Sequence, residues 1–186
     1  QRQMCIRDSV YNEQAEITAD DDTLNDFLDD MLGNDRFNKN FERYLESCLA
    51  LGGLAMRPYV DGDKIRVAFI QAPVFLPLQS NTQDVSSAAI LTKTIKSESK
   101  KNVYYTLVEF HEWVTQDGQE VGSTKDKNLY RITNELYKST SDSTLGDRVN
   151  LSELYPDLQP VTTIQGLSRP LFVYLKTCLL YTSDAA

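Results

Sequence analysis

The chain of 186 residues holds one histidine, one tryptophan and three cysteines, and no apolar run reaches the ~20 residues of a membrane-spanning helix. Positive charge is also short. Nineteen Lys and Arg face 27 Asp and Glu for a net charge of −8, which argues against a general affinity for nucleic-acid phosphates, since that needs a basic surface. A segment of this balance that faced DNA would repel it. Glycine-rich phosphate cradles are missing too: Gly52-Gly53 is too short, and neither a Walker pattern nor a three-glycine dinucleotide fingerprint occurs. The acidic residues Asp20 to Asp22 with Asp29 and Asp30 lack the spacing of an EF-hand and read as a solvated, capping face. There is no internal repeat and no low-complexity tract.

The two ends do not match the rest. Gln1 to Ser9, QRQMCIRDS, can be written CAG CGT CAG ATG TGT ATA AGA GAC AG, and Cys178 to Ala186, CLLYTSDAA, can be written TGT CTC TTA TAC ACA TCT GAC GCT GCC. Their shared portions are reverse complements, as expected of one sequencing-library transposon adapter translated from opposite directions. Residues 1–9 and 178–186 are therefore read as non-native, and 10–177 as one native segment that stops where a DNA fragment stopped. Removing the ends takes away Arg2, Arg7, Asp8 and Asp184, two of each sign, so the acidity belongs to the native segment. Of the cysteines only Cys48 remains, which excludes an intrachain disulfide and fits a reducing compartment.

What is present is clearest between Phe37 and Phe69. Phe37, Phe41, Leu45, Cys48 and Leu49 recur with the period of one helix face, and Lys39, Asn40, Glu42, Arg43 and Glu46 fall elsewhere. Asp35 is the expected N-cap and Gly52-Gly53 the stop. Leu54 to Val60 and Lys64 to Ile70 follow as two strands around Asp61-Gly62-Asp63, a tight-hairpin signal. Burying four large apolar residues of the helix face contributes roughly 6 to 12 kcal/mol before entropy, so the helix is expected to lie on this sheet.

Upstream, Asp22 or Thr23 should cap a helix over Leu24 to Leu32, closed by Gly33-Asn34. Downstream, Pro73 and Pro77 interrupt an extended stretch before it can become a long central strand. Strands are expected at 86–97, 102–115 and 127–139, with Asp117-Gly118 as a turn and 140–147 as a polar loop. Asn150 should cap a short helix over Leu151 to Tyr155. Closing strands are expected at 162–165 and 171–176. Alternation in 102–115 sets Val103, Tyr105, Leu107, Glu109 and His111 against Tyr104, Thr106, Val108, Phe110 and Glu112. The fold class is α+β, with N-terminal helices packed on a mainly antiparallel sheet.

His111, beside Glu109, Glu112 and Trp113, could serve as a general base or metal ligand, but a solvated or hydrogen-bonded sheet face explains it better. Cys48, on an apolar helix face without basic neighbours, reads as a small hydrophobe. Lys93, Lys96, Lys100 and Lys101 form one basic patch, read as a hairpin tip. The aromatics lack the basic interleaving of a base-stacking platform. No catalytic, cofactor-binding or metal residue is assigned.

Four blocks carry a resemblance: FERYLESCLALGGLAMRPYVDGDKI, YYTLVEFHEW (104–113), YRITNELY (130–137) and GLSRPLFVYLK (166–176). In this order, and together spanning most of the chain, they resemble portal proteins of tailed bacteriophages infecting Gram-positive hosts. The resemblance implies a structural virion protein and no enzyme: a subunit of a dodecameric ring at one capsid vertex, made in the host cytoplasm. Its implied partners are the capsid or scaffolding protein, terminase, head-completion proteins, and double-stranded DNA passing through without sequence-specific binding. The segment would match the N-terminal part of the family, in the outer α/β wing. The alternative is a β-rich binding module of a phage tail or adhesion protein.

Overall fold

The computed structural model describes residues 17–34, 37–81, 84–98, 101–115 and 129–177. The proposed adapter ends, the Asp35 cap, Lys100 and the Asp117-Gly118 turn lie outside them. The chain divides into two compact units, residues 1–72 with 172–186, and residues 73–171.

In the first unit, helix α1 (Asp22–Asn34) precedes helix α2 (Phe37–Leu51). The α1 cap is Asp21, one residue before the expected Asp22 or Thr23: its Oδ1 accepts the Leu24 N–H at 2.9 Å. Asn25 tightens the entry by bonding both the N–H and C=O of Ala19, at 2.6 Å each. Gly33 and Asn34 lie inside the helix rather than past its end. Helix α2 stops at Gly52, whose φ of 84° is open to glycine at no steric cost and whose N–H closes on the Cys48 carbonyl at 3.0 Å.

The hairpin follows as foreseen: β1 (Gly53–Asp61) and β2 (Lys64–Gln71) pair antiparallel from Leu54↔Gln71 to Asp61↔Lys64. Helix α2 lies on both strands. Its anchor is Phe69, which receives Phe37 at 5.5 Å, Phe41 at 6.5 Å and Tyr44, stacked, at 5.1 Å. Tyr44 takes part where Leu49 was expected; Leu49 is 39% exposed, one helical step off the buried line. Strand β9 (Val173–Lys176) completes the sheet by pairing with Gly53–Met56 of β1. It ends before Pro58, so the proline, with no N–H to offer, sits where β1 has a partner on one side alone.

A 3-10 turn (Ala72–Val74) leads into the second unit, where β3 (Phe75–Ser80), β4 (Val85–Glu98), β5 (Lys101–Val114) and β6 (Leu129–Ser139) are antiparallel neighbours in that order. Strand β3 runs through Pro77, contrary to an interruption there, because it is the sheet's edge and is bulged just after the proline. Two short strands then share the outer edge of β6. Strand β7 (Asp147–Val149), unforeseen in the polar stretch, pairs with Leu136 to Lys138, and β8 (Val161–Ile164) pairs with Tyr130 to Thr133. Between them Asn150 Oδ1 caps the 3-10 turn Leu151–Glu153 by accepting the Ser152 N–H at 3.0 Å. Leu151, Val149, Leu154, Tyr155 and Leu158 cover Val103, Tyr105, Leu107 and Leu136.

Candidate functional site

Strand register brings the residues singled out in the sequence to different places. On β5 and β6, His111 stands opposite Ile132, and Trp113 opposite Tyr130. His111 is 0% exposed, as is Tyr130. Burial corrects the solvated reading of this histidine and leaves the hydrogen-bonded one: His111 Nδ1 and Tyr130 Oη are 3.0 Å apart. Tyr130 Oη also accepts the Leu171 N–H at 3.2 Å, and the Trp113 ring meets the Tyr130 ring edge-on at 4.9 Å. A fully buried imidazole bonded to a phenol is a packing and hydrogen-bonding centre. Tyr130 is the member of this group that the sequence did not single out; the signal was a tyrosine on the apolar side of a strand, whose hydroxyl needs a partner when buried.

The opposite face of the same strands carries charge. Arg131 Nη2 pairs with Glu112 Oε2 at 3.0 Å, directly across the β5–β6 ladder. Glu135 receives Arg148 at 3.0 Å and the Tyr137 hydroxyl at 2.7 Å. That hydrogen bond, with burial and the carboxylate's charge adding and Arg148 opposing, raises the Tyr137 pKa above the ordinary tyrosine value. Of the lysine patch, Lys93 bonds both Oδ1 and the carbonyl of Asp142 at 3.1 and 2.9 Å, and Lys96 lies 5.9 Å from the Tyr105 ring. Lys93 and Lys96 thus lie within β4, Lys93 joined to a residue 49 positions away, and of the described lysines of the patch Lys101 alone stands at the hairpin tip.

Cys48 is 1% exposed, and burial pushes its thiol up from the usual value, away from the reactive thiolate. Among the described residues, no three His, Cys, Asp or Glu side chains stand together so as to hold a metal ion. Of the acidic residues, Asp21 caps α1 and Asp30 approaches Lys64 at 3.7 Å. Two hollows flank β7, one of about 360 Å3 beside Lys138, Ser139 and Gly146, the other of about 260 Å3 beside Asn134, Arg148 and Pro160. In the first, Ser139 Oγ is bonded to Thr144 Oγ1 at 2.6 Å, and Lys138 Nζ faces Glu153 at 3.7 Å. No described helix is long and apolar enough to cross a membrane.

No curated protein matches the chain. The family described as phage portal protein, SPP1 Gp6-like, matches residues 6–165, a span that takes in both helices, the first hairpin, the β3–β6 sheet and β8. The chain belongs to this family of structural phage proteins.

Proposed function

We propose that residues 10–177 are a wing-like segment of a portal subunit, one of twelve in a ring at a single capsid vertex of the virion. In that ring the subunit contacts capsid or scaffolding protein, receives terminase during packaging and head-completion proteins afterwards, and lets double-stranded DNA pass in and out. It performs no catalysis; the motor that docks on it does. Residues 1–9 and 178–186 are the translated adapter in this reading, which the family match overlaps at residues 6–9.

The match over residues 6–165 carries the proposal. Two physical features support it. The net charge of −8 suits a wall that must not grip passing phosphates. Large apolar side chains stand in water, Val60 at 72%, Ile95 at 60% and Val173 at 58%, as expected where subunit contacts are missing. The test is assembly: the full-length product of the source gene, examined by native mass spectrometry and electron microscopy, should form closed rings. A stable monomer at micromolar concentration would count against the proposal.

A further inference from the structure

The polypeptide passes between its two units twice, at Ala72–Pro73 and at Leu171–Phe172. The second crossing is held at its root by a side chain. The N–H of Leu171, the last residue of the second unit, donates to Tyr130 Oη at 3.2 Å, from a position 41 residues along the chain. Tyr130 cannot readily move: it is fully buried, wedged edge-on by Trp113 at 4.9 Å and bonded through the same oxygen to His111 Nδ1 at 3.0 Å. Whichever of His111 and Tyr130 supplies the proton between them, Oη keeps a lone pair for the Leu171 N–H.

Leu171 lies in the stretch between the last two strands. Strand β8 ends at Ile164 and β9 starts at Val173. Gly166, at φ 76°, and Pro170 turn the intervening chain, and Pro170 has no N–H to donate. Leu171 therefore provides the first amide after the proline, and it meets a preset acceptor.

We propose that the buried His111–Tyr130 pair is a latch on this crossing: it fixes the place where the chain leaves the second unit, so that one of the two crossings is rigid at its root. The histidine that looked like a candidate base then has a positional duty, holding the phenol that holds the crossing. Nothing in this inference depends on the portal reading, and the two stand or fall separately.

Amide hydrogen exchange on the 186-residue chain tests it in two steps. In the unaltered protein the Leu171 amide should exchange as slowly as core amides of β6, opening only with the second unit, whereas the neighbouring Ser168 amide exchanges fast. In Tyr130→Phe, which keeps the ring and removes the oxygen, Leu171 should exchange about two- to tenfold faster, the factor matching the net contribution of one hydrogen bond, while central β5 amides keep their protection. Exchange of Leu171 in the unaltered protein at the rate of Ser168 would overturn the latch whether or not the variant folds. So would a Leu171 rate unchanged by the substitution.

Discussion

Gly146 is the position where one added methyl group should do most damage. Its φ is 78°, and a Cβ built there would run into the backbone carbonyl of Lys138 and the Ser139 Cβ. The left-handed conformation costs alanine roughly 1 kcal/mol or somewhat more, partly offset by about 0.4 to 1 kcal/mol from a stiffer unfolded chain. The clash decides the outcome, because a carbonyl inside a ladder cannot swing aside as a long side chain can. Relief requires β7 to move off β6, which disturbs the Lys138↔Asp147 pairing and the cover that Val149, Leu151 and Leu154 place over Val103, Tyr105 and Leu107. Gly146→Ala should therefore cost about 2 to 4 kcal/mol, a tail value with a named mechanism, and lower Tm by roughly 5 to 15 °C at this chain length. Gly62→Ala is the control: its φ is 62° with nothing within 4 Å of the added Cβ, so only the backbone term applies, ~1 kcal/mol or less. Trp113, the sole tryptophan and 3% exposed, lies in the second unit, so its fluorescence during urea unfolding reports that unit. Equal midpoints for Gly146→Ala and the unaltered chain would refute the steric argument.

Three further outcomes follow from the packing and the titrating groups. Phe69→Ala, which removes the ring that Phe37, Phe41 and Tyr44 share, should destabilise the first unit by about 3 kcal/mol in thermal unfolding followed by circular dichroism, whereas Phe69→Leu should cost about half as much. Tyr137 has a folded-state pKa raised above its unfolded one, so its hydrogen bond to Glu135 stabilises fully below pH ~10 and that contribution fades as pH rises further; in Tyr137→Phe the alkaline decline should be shallower, and parallel curves for the two proteins would count against the assignment. With Cys5 and Cys178 replaced by serine, Cys48 should resist a thiol reagent in the folded chain and react at once in denaturant, and rapid labelling of the native protein would show that the helix face is open.

Much of the fold was legible because its signals are local. The period of Phe37, Phe41 and Cys48, the glycine stop and the Asp-Gly turn each act within a few residues, so α2, β1 and β2 fall within a residue or two of their expected places. Asn150 capped a turn as its side chain predicts. What failed was set by distant partners. Strand β7 has three residues and exists because β6 offers it a free edge; nothing in Asp147-Arg148-Val149 announces it. Pro77 looked like an interruption, and only the edge position of β3 makes it tolerable. Leu49 fits a helix period as well as Tyr44 does until the location of Phe69 selects between them.

The site readings divide in the same way. Cys48 could be judged from its own helix face. His111 could not, since the alternation of β5 fixes which side it faces but not the register that puts Tyr130 beside it. Once that register is known, the lone histidine among carboxylates is seen to bond a buried phenol.

The account turns on this chain being part of a longer portal subunit, and sequencing the source DNA outward through both ends tests that most directly. The reading frame should continue past Thr177 into long helices able to line a channel, with a terminase gene upstream. A stop codon within a few positions of Thr177, with no such gene nearby, would contradict it.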